Sequence, residues 1–204
     1  MDYGIMRNNE MKQCINIASE AFADYEFFST YFPRKTRRKG FLRSMLTTEF
    51  RMNKDREIFL TAKQSNNIVA VAILCAPGYT KPSDKEYLQN GFWKALICGG
   101  YNNVVAWNEM DVSASEPCQS LGDSWYLSML VVNPSVKGKG IGSKMLQECI
   151  VPYVKQQGGT HICLFTNSEG NRKFYQKNGF SEFNEQFFSY RGKTIGSWSY
   201  LLHL

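Results

Sequence analysis

The sequence predicts a mixed α/β fold, of the α+β kind, in a single domain spanning residues 1–204, and three observations carry that prediction. Hydrophobic periodicity switches along the chain between helical intervals and short apolar runs. It gives the order strand, two helices, two strands, a helical insert, then strand, helix, strand, helix and two final strands. A chain of 204 residues, 43% hydrophobic and 14% aromatic, is long enough for one substantial core and cramped for two. Finally, an apolar strand near residue 130 runs through a glycine-rich turn straight into a helix. Charged residues of both signs are interspersed at 21%, with no low-complexity tract or fixed-period repeat, which excludes the disordered and solenoid classes.

Tyr3 to Met6 is a short strand. From Asn9 to Ala23, Met11, Ile15, Ala18, Ala21 and Phe22 fall at helical intervals, and the segment ends in the aromatic stretch DYEFFSTYFP. Beyond Pro33, Phe41, Leu42, Met45, Leu46 and Phe50 mark a second helix over Thr36 to Met52. REIFLTAKQ and NNIVAVAILCAPG then read as a β-hairpin turning near Ser65–Asn67. In residues 79–123, Trp93, Leu96, Ile97 and Trp107 suggest helix, while CGG, YNN and SASEPCQS break it. SWYLSMLVV is an apolar strand stopped by Asn133-Pro134. The helix from about Ile141 places Met145, Leu146, Cys149, Ile150 and Val154 on one side. A strand at HICLFT, a short helix at NRKFYQKN closed by Gly179, and strands over Glu182 to Tyr190 and Ile195 to Leu202 complete the chain.

The net charge of +6 and pI near 9.0 favour an anionic partner, and a phosphorylated small molecule suits that excess as well as nucleic acid does. The densest basic run, Arg34-Lys35-Thr36-Arg37-Arg38-Lys39, reads as the solvated first turn of a helix. Six scattered cysteines, with no C-x-x-C pair, indicate neither a metal site nor a disulfide framework; they suit a reducing compartment. The N-terminus lacks the apolar core of a signal peptide, and the longest apolar run, Ile68 to Ala76, is far short of a membrane span. A cytoplasmic protein, with no membrane and no nucleic-acid partner, is expected. His161 and His203 have no evident partner and read as structural.

The turn VVNPSVKGKGIGSKML places unpaired amides and the positive end of a helix at its tip, an anion-binding arrangement that suits phosphate. Glycine there permits unusual dihedrals and lets a ligand approach without meeting a Cβ. Lys137 and Lys139 add charge. A P-loop, G-x-x-x-x-G-K-S/T, does not fit, because Ser143-Lys144 stand in reverse order. The dinucleotide fingerprint G-x-G-x-x-G fails because Ser143 or Met145 stands where its third glycine belongs.

Lys137-Gly138-Lys139-Gly140-Ile141-Gly142 after an apolar strand resembles the acetyl-CoA-binding turn Q/R-x-x-G-x-G/A of the GNAT superfamily of N-acetyltransferases, with lysine where Gln or Arg is usual. Downstream, Asn171, Phe174, Tyr175, Gly179 and Phe180 match that family's N-x-x-F-Y-x-x-x-G-F helix, in a style similar to the puromycin-acetyltransferase-like members. The resemblance covers roughly residues 124–180. It implies a mixed, mostly antiparallel sheet of 6–7 strands with a splayed parallel pair and helices on both faces. It also implies acetyl-CoA as co-substrate, no metal, and attack of an amine on the thioester. The residues it assigns to the coenzyme are Leu130, Val131 and Val132, then Lys137, Gly138, Lys139, Gly140, Ile141, Gly142 and Ser143, with Asn171 and Tyr175. Tyr175 takes the part of general acid to the leaving thiolate, and Asn171 binds the coenzyme or caps its helix.

No general base is assigned: Glu109, Asp111, Glu116 and Asp123 read as solvated loop carboxylates. The aromatics Phe22, Tyr25, Phe27, Phe28, Tyr31 and Phe32 favour core packing, with an acceptor pocket as the other use. The expected acceptor is the primary amine of a small molecule, with the protein a monomer or homodimer. A protein or peptide acetyltransferase and a non-catalytic acyl-CoA-binding module stand as alternatives.

Overall fold

The computed structural model describes residues 1–204. After β1 (Asp2–Ile5) and a 3₁₀ turn at Asn8–Glu10, three helices follow: α1 (Met11–Ala23), α2 (Glu26–Tyr31) and α3 (Lys35–Asn53). The hairpin β2 (Ile58–Gln64) and β3 (Asn67–Cys75) turns through Ser65 and Asn66, both at positive φ, the conformation that matches strand twist in a two-residue hairpin loop. The insert consists of α4 (Asp84–Gln89), α5 (Trp93–Gly99) and α6 (Tyr101–Gln119). Then come β4 (Trp125–Val132), α7 (Ile141–Met145), α8 (Val151–Gln156), β5 (His161–Thr166), α9 (Glu169–Lys177), β6 (Ser181–Tyr190) and β7 (Lys193–His203).

The breakers of the insert act only in part. Gly99-Gly100 does separate α5 from α6: Gly100 has φ +83, and a Cβ on Gly99 would lie 2.7 Å from Val104 and 2.8 Å from Phe32. YNN instead opens α6, with the Asn103 side chain donating to the Gly99 carbonyl at 3.0 Å. Nor does SASEPCQS stop α6, which continues through Pro117 in its last turn. The run Leu146–Ile150 between α7 and α8 is a π turn, in which the Val151 amide reaches the Leu146 carbonyl. That wider turn precedes Pro152, whose ring would crowd the carbonyl four residues back in a regular α-helix.

The seven strands form one sheet in the order β1-β2-β3-β4-β5-β7-β6, antiparallel throughout except for the parallel pair β4 and β5. Each face carries its own core. On one, residues of α1, α2, α3 and α6, among them Phe28, Phe41, Leu42 and Trp107, cover Val71, Ile73 and Val131. On the other, Met145, Leu146, Ile150 and Tyr175 cover Leu60, Leu74, Leu127 and Tyr200. No helix is long and apolar enough to cross a membrane.

Two polar anchors tie the helices down. Arg38, in the run expected to be solvated, is 7% exposed; it donates to the Ala23 and Phe32 carbonyls, both at 2.7 Å, at the ends of α1 and α2. Glu10 accepts from the Arg7 amide at 2.9 Å, from Arg7 Nε at 2.8 Å and from Lys63 Nζ of β2 at 2.5 Å. Burial alone would raise its pKa, but these bonds outweigh it and hold the carboxyl down to about 2. A depressed folded-state pKa stabilises above the ordinary value of 4.5 and is lost as pH falls towards 2. Glu10→Gln is therefore expected to destabilise the protein by roughly 2 kcal/mol at neutral pH. Urea unfolding should show the gap to wild type closing between pH 4.5 and pH 2.

Candidate active site

The site begins with a fault in β4. Leu127 pairs with Leu74 and Met129 with Ile73, so Ser128 is an extra residue bulging from the ladder, its hydroxyl donating to the Ile73 carbonyl at 3.3 Å. On the other side, β4 pairs with β5 only at Trp125↔Ile162 and Tyr126↔Cys163. Past the bulge the two strands diverge, and Ser128 lies exposed in a buried sheet.

Which main-chain groups face that gap follows from one bond. The Asn133 amide donates to the Val69 carbonyl at 2.8 Å, so this pair and every second pair behind it, including Val131↔Val71, turn their polar groups towards β3. Leu130 and Val132 therefore point theirs into the gap. Of the three strand residues assigned to the coenzyme, Val131 differs. Its main chain faces β3, and its side chain, 4% exposed, belongs to the core under α1 and α3.

After β4, the Asn133 carboxamide accepts from the Ser135 amide at 3.0 Å and sets a 3₁₀ turn at Pro134–Val136. Gly138 and Gly140 have φ +84 and +73, and the first helical bond beyond them runs from the Lys144 amide to the Gly140 carbonyl at 3.1 Å. The amides of residues 138–143 donate to no protein acceptor. Six consecutive free N–H groups at the head of a helix make a concentrated anion-binding surface. Ile141, 4% exposed, anchors the turn in the core, while Lys137 and Lys139 are exposed and form no ion pair with a carboxylate. Ser143 is half-buried. A Cβ on Gly142 would lie 3.2 Å from the Phe174 ring and 3.6 Å from Val132, so the bare residue lets α7 sit close to α9 and the end of β4.

Across the gap, Ser168 rather than Asn171 caps α9, accepting from the Asn171 amide at 3.4 Å. The Asn171 side chain donates instead to Thr166 Oγ1 at 3.1 Å, at the end of β5. Tyr25, from the link between α1 and α2, shares a 3.2 Å hydrogen bond with the same Thr166 oxygen and accepts from the Asn167 amide at 2.9 Å. The C-terminus of α9 closes with Phe180 N donating to Tyr175 O and Gly179 N to Gln176 O, both at 3.1 Å, with Gly179 at φ +88.

Tyr175 is 8% exposed, its ring between Phe174, Phe180 and Tyr200 at centroid distances of 5.1, 5.4 and 6.0 Å. Its hydroxyl forms no hydrogen bond within the protein, in contrast to that of Tyr25. Burial, and after it the charge Tyr25 would carry if ionised, raise the Tyr175 pKa above the ordinary phenol, so it holds its proton at neutral pH. The turn, the open edge of β4 and α9 thus meet at one end of the sheet. The sequence marks neither Asn167 nor Ser128 as part of this region, and offers Tyr25 only as one of six aromatics for the core or an acceptor pocket. Tyr25 lies in the aromatic run, 141 residues from the threonine it touches. The clue at Ser128 is a polar residue interrupting an apolar strand.

Residues 55–182, more than half of the chain, match the acetyltransferase (GNAT) domain, and the chain belongs to the GNAT acetyltransferase family. Among solved structures, the histone acetyltransferase HPA2 and related acetyltransferase of Corynebacterium glutamicum superposes with a TM-score of 0.63 at 16% identity, covering 97% of this chain and 93% of that one. A Staphylococcus aureus N-acetyltransferase gives 0.60 at 15%, with 99% and 97% covered. The ribosomal-protein-alanine N-acetyltransferase of Brucella melitensis gives 0.60 at 12%, with both chains fully covered. At these identities the likeness is one of fold. No curated protein matches the sequence.

Replacing Tyr25 by Phe leaves the Asn167 amide without its acceptor at a largely buried position. Tyr25→Phe is expected to cost about 1–3 kcal/mol by chemical denaturation and to speed hydrogen exchange at Asn167.

Proposed function

We propose that this chain, acting as one domain over residues 1–204, is an acetyl-CoA-dependent N-acetyltransferase whose acceptor is the primary amine of a small molecule. The observation that carries this reading is the run of free amides at 138–143 beside an opened strand edge. A pyrophosphate supplies the acceptor oxygens those amides lack, with Lys137 and Lys139 contributing charge at the rim. Lysine at 137 attracts phosphate as a point charge, without the planar fork of an arginine. The amide-rich pantetheine arm suits the polar groups of Leu130 and Val132, as a strand is completed by an added one. That course leads the thioester towards Ser128, where the strands part.

The acceptor nitrogen must arrive neutral to attack. It forms the C–N bond as the C–S bond breaks and releases its proton to water, while the departing thiolate takes the proton of Tyr175. Burial, which raises the Tyr175 pKa, keeps the phenol protonated and so able to donate. Asn171, joined to Thr166 and through it to Tyr25, fixes the floor on which that tyrosine acts.

The test is release of free CoA thiol when the protein is incubated with acetyl-CoA and a panel of amines; no turnover together with no CoA binding overturns the reading. Gly140→Val, which places a branched side chain at φ +73 among the free amides, should weaken CoA binding at least tenfold by titration calorimetry. Tyr175→Phe removes a hydroxyl to which no side-chain hydrogen bond is made, so stability and CoA affinity should hold while kcat falls by about 10²-fold or more.

A further inference from the structure

We propose that the free edge of β6 is the seam of a symmetric dimer, in which a second copy of this chain lays its own β6 antiparallel to the first and the two sheets become one. β6 ends the strand order, and residues 181–190 make main-chain hydrogen bonds to β7 alone. The strand is 10 residues long, against 4 for β1 at the other edge of the sheet. It contains no proline, and two phenylalanines stand out from it, Phe183 at 41% and Phe187 at 62% exposed. A long unpaired edge with exposed aromatics is a template for another strand. The carboxylates of β6 do not guard it, because both are engaged within the chain. Glu182 accepts from Arg172 at 2.9 Å and from Tyr200 at 2.5 Å, and Glu185 accepts from Trp198 Nε1 at 2.6 Å.

The hairpin fixes which main-chain groups lie free. Its two-residue turn, Arg191 at φ +49 and Gly192 at φ +75, is flanked by the pair Tyr190↔Lys193. Such a turn closes on a pair that exchanges both hydrogen bonds, so Tyr190 and every second residue before it, back to Asn184, bond to β7. Ser189, Phe187 and Glu185 therefore turn their N–H and C=O groups out of the sheet. A strand added there must set its own outward residues opposite these, so a slip of one residue is not allowed. A bulge between Glu182 and Asn184 interrupts the start of β6, which leaves residues 184–190 as the regular stretch.

One antiparallel register centres on that stretch. It puts Phe187 on the two-fold axis against the partner's Phe187, and Glu185 opposite the partner's Ser189. Centring on Glu185 instead faces two like charges and draws the bulge into the seam. With Phe187 on the axis, the acidic end of each strand, Glu182 and Glu185, runs beside the basic turn of the other, Arg191 and Lys193. Both of these cations are exposed and form no ion pair within the chain. A parallel arrangement would bring acid to acid and base to base. The strand thus carries at its two ends the opposite charges that specify an antiparallel copy of itself.

Sedimentation velocity over about 1–200 µM protein, with amide hydrogen exchange at both ends of that range, tests the seam. The chain should pass from its own mass to twice that mass as concentration rises, and the amides of Glu185, Phe187 and Ser189 should gain protection as it does. Phe187→Lys sets two like charges against each other on the axis, and Ser189→Pro removes an outward N–H that β7 does not use. Each should weaken dimerisation at least about tenfold while circular dichroism stays that of the wild type. Ile5→Lys, at a site 63% exposed on the opposite edge of the sheet, should leave the dimer unchanged. A wild-type chain that stays monomeric throughout, a dimer that both β6 variants leave intact, or protection confined to other segments overturns the proposal. No coenzyme enters these measurements, so the seam and the acetyl-transfer reading fail separately.

Discussion

The rest of the structure turns on how briefly β4 and β5 stay together. They share two rungs, at Trp125 and Tyr126, and the extra residue Ser128 then swings β4 aside. A parallel pair buried between helices ordinarily closes all its hydrogen bonds. Here the polar groups of Leu130 and Val132 are left facing a gap. The bulge also changes which residues face which core: Trp125 and Leu127 pack under α7 and α8, while Met129 and Val131 pack on the opposite side. One inserted serine thus both opens the sheet and keeps both cores filled.

The glycine turn depends on that opening. The end of β4 delivers the chain to Asn133 and Pro134 at the mouth of the gap, and two glycines at positive φ bring the head of α7 there with its amides free. Gly142 permits the close approach of α7 to Phe174, and α9 in turn carries Asn171 and Tyr175 to the far side. The helix-terminal charge, the unpaired strand edge and an un-ionised buried phenol come together because each is attached to an element that borders the gap.

The legible part of this site was local in the chain. The strand, turn and helix around residues 125–150 and the N-x-x-F-Y helix are contiguous patterns, and their periodicity and glycines carry the geometry directly. What escaped depends on contacts between distant segments. Tyr25 meets Thr166 across 141 positions, and Arg38 is drawn from a basic run into the core by the carbonyls at the ends of two helices. In the insert, two local breakers were outweighed by packing: α6 begins at YNN and continues through Pro117 because Val104, Trp107, Met110 and Ala114 bury one face in the core. That helix turns Asp111 inward, which no pattern of charges in the sequence marks. The cap of α9 moved from Asn171 to Ser168 because the asparagine side chain is engaged by Thr166.

The central claim is that main-chain amides of the turn hold the coenzyme's phosphates. Proton–nitrogen NMR spectra of glycine-labelled protein, titrated with CoA, report on it at Gly138, Gly140 and Gly142. The account predicts large downfield amide shifts at these glycines that saturate with binding, with small changes at distant Gly4 and Gly192. Saturable CoA binding that leaves the three turn resonances in place would contradict it.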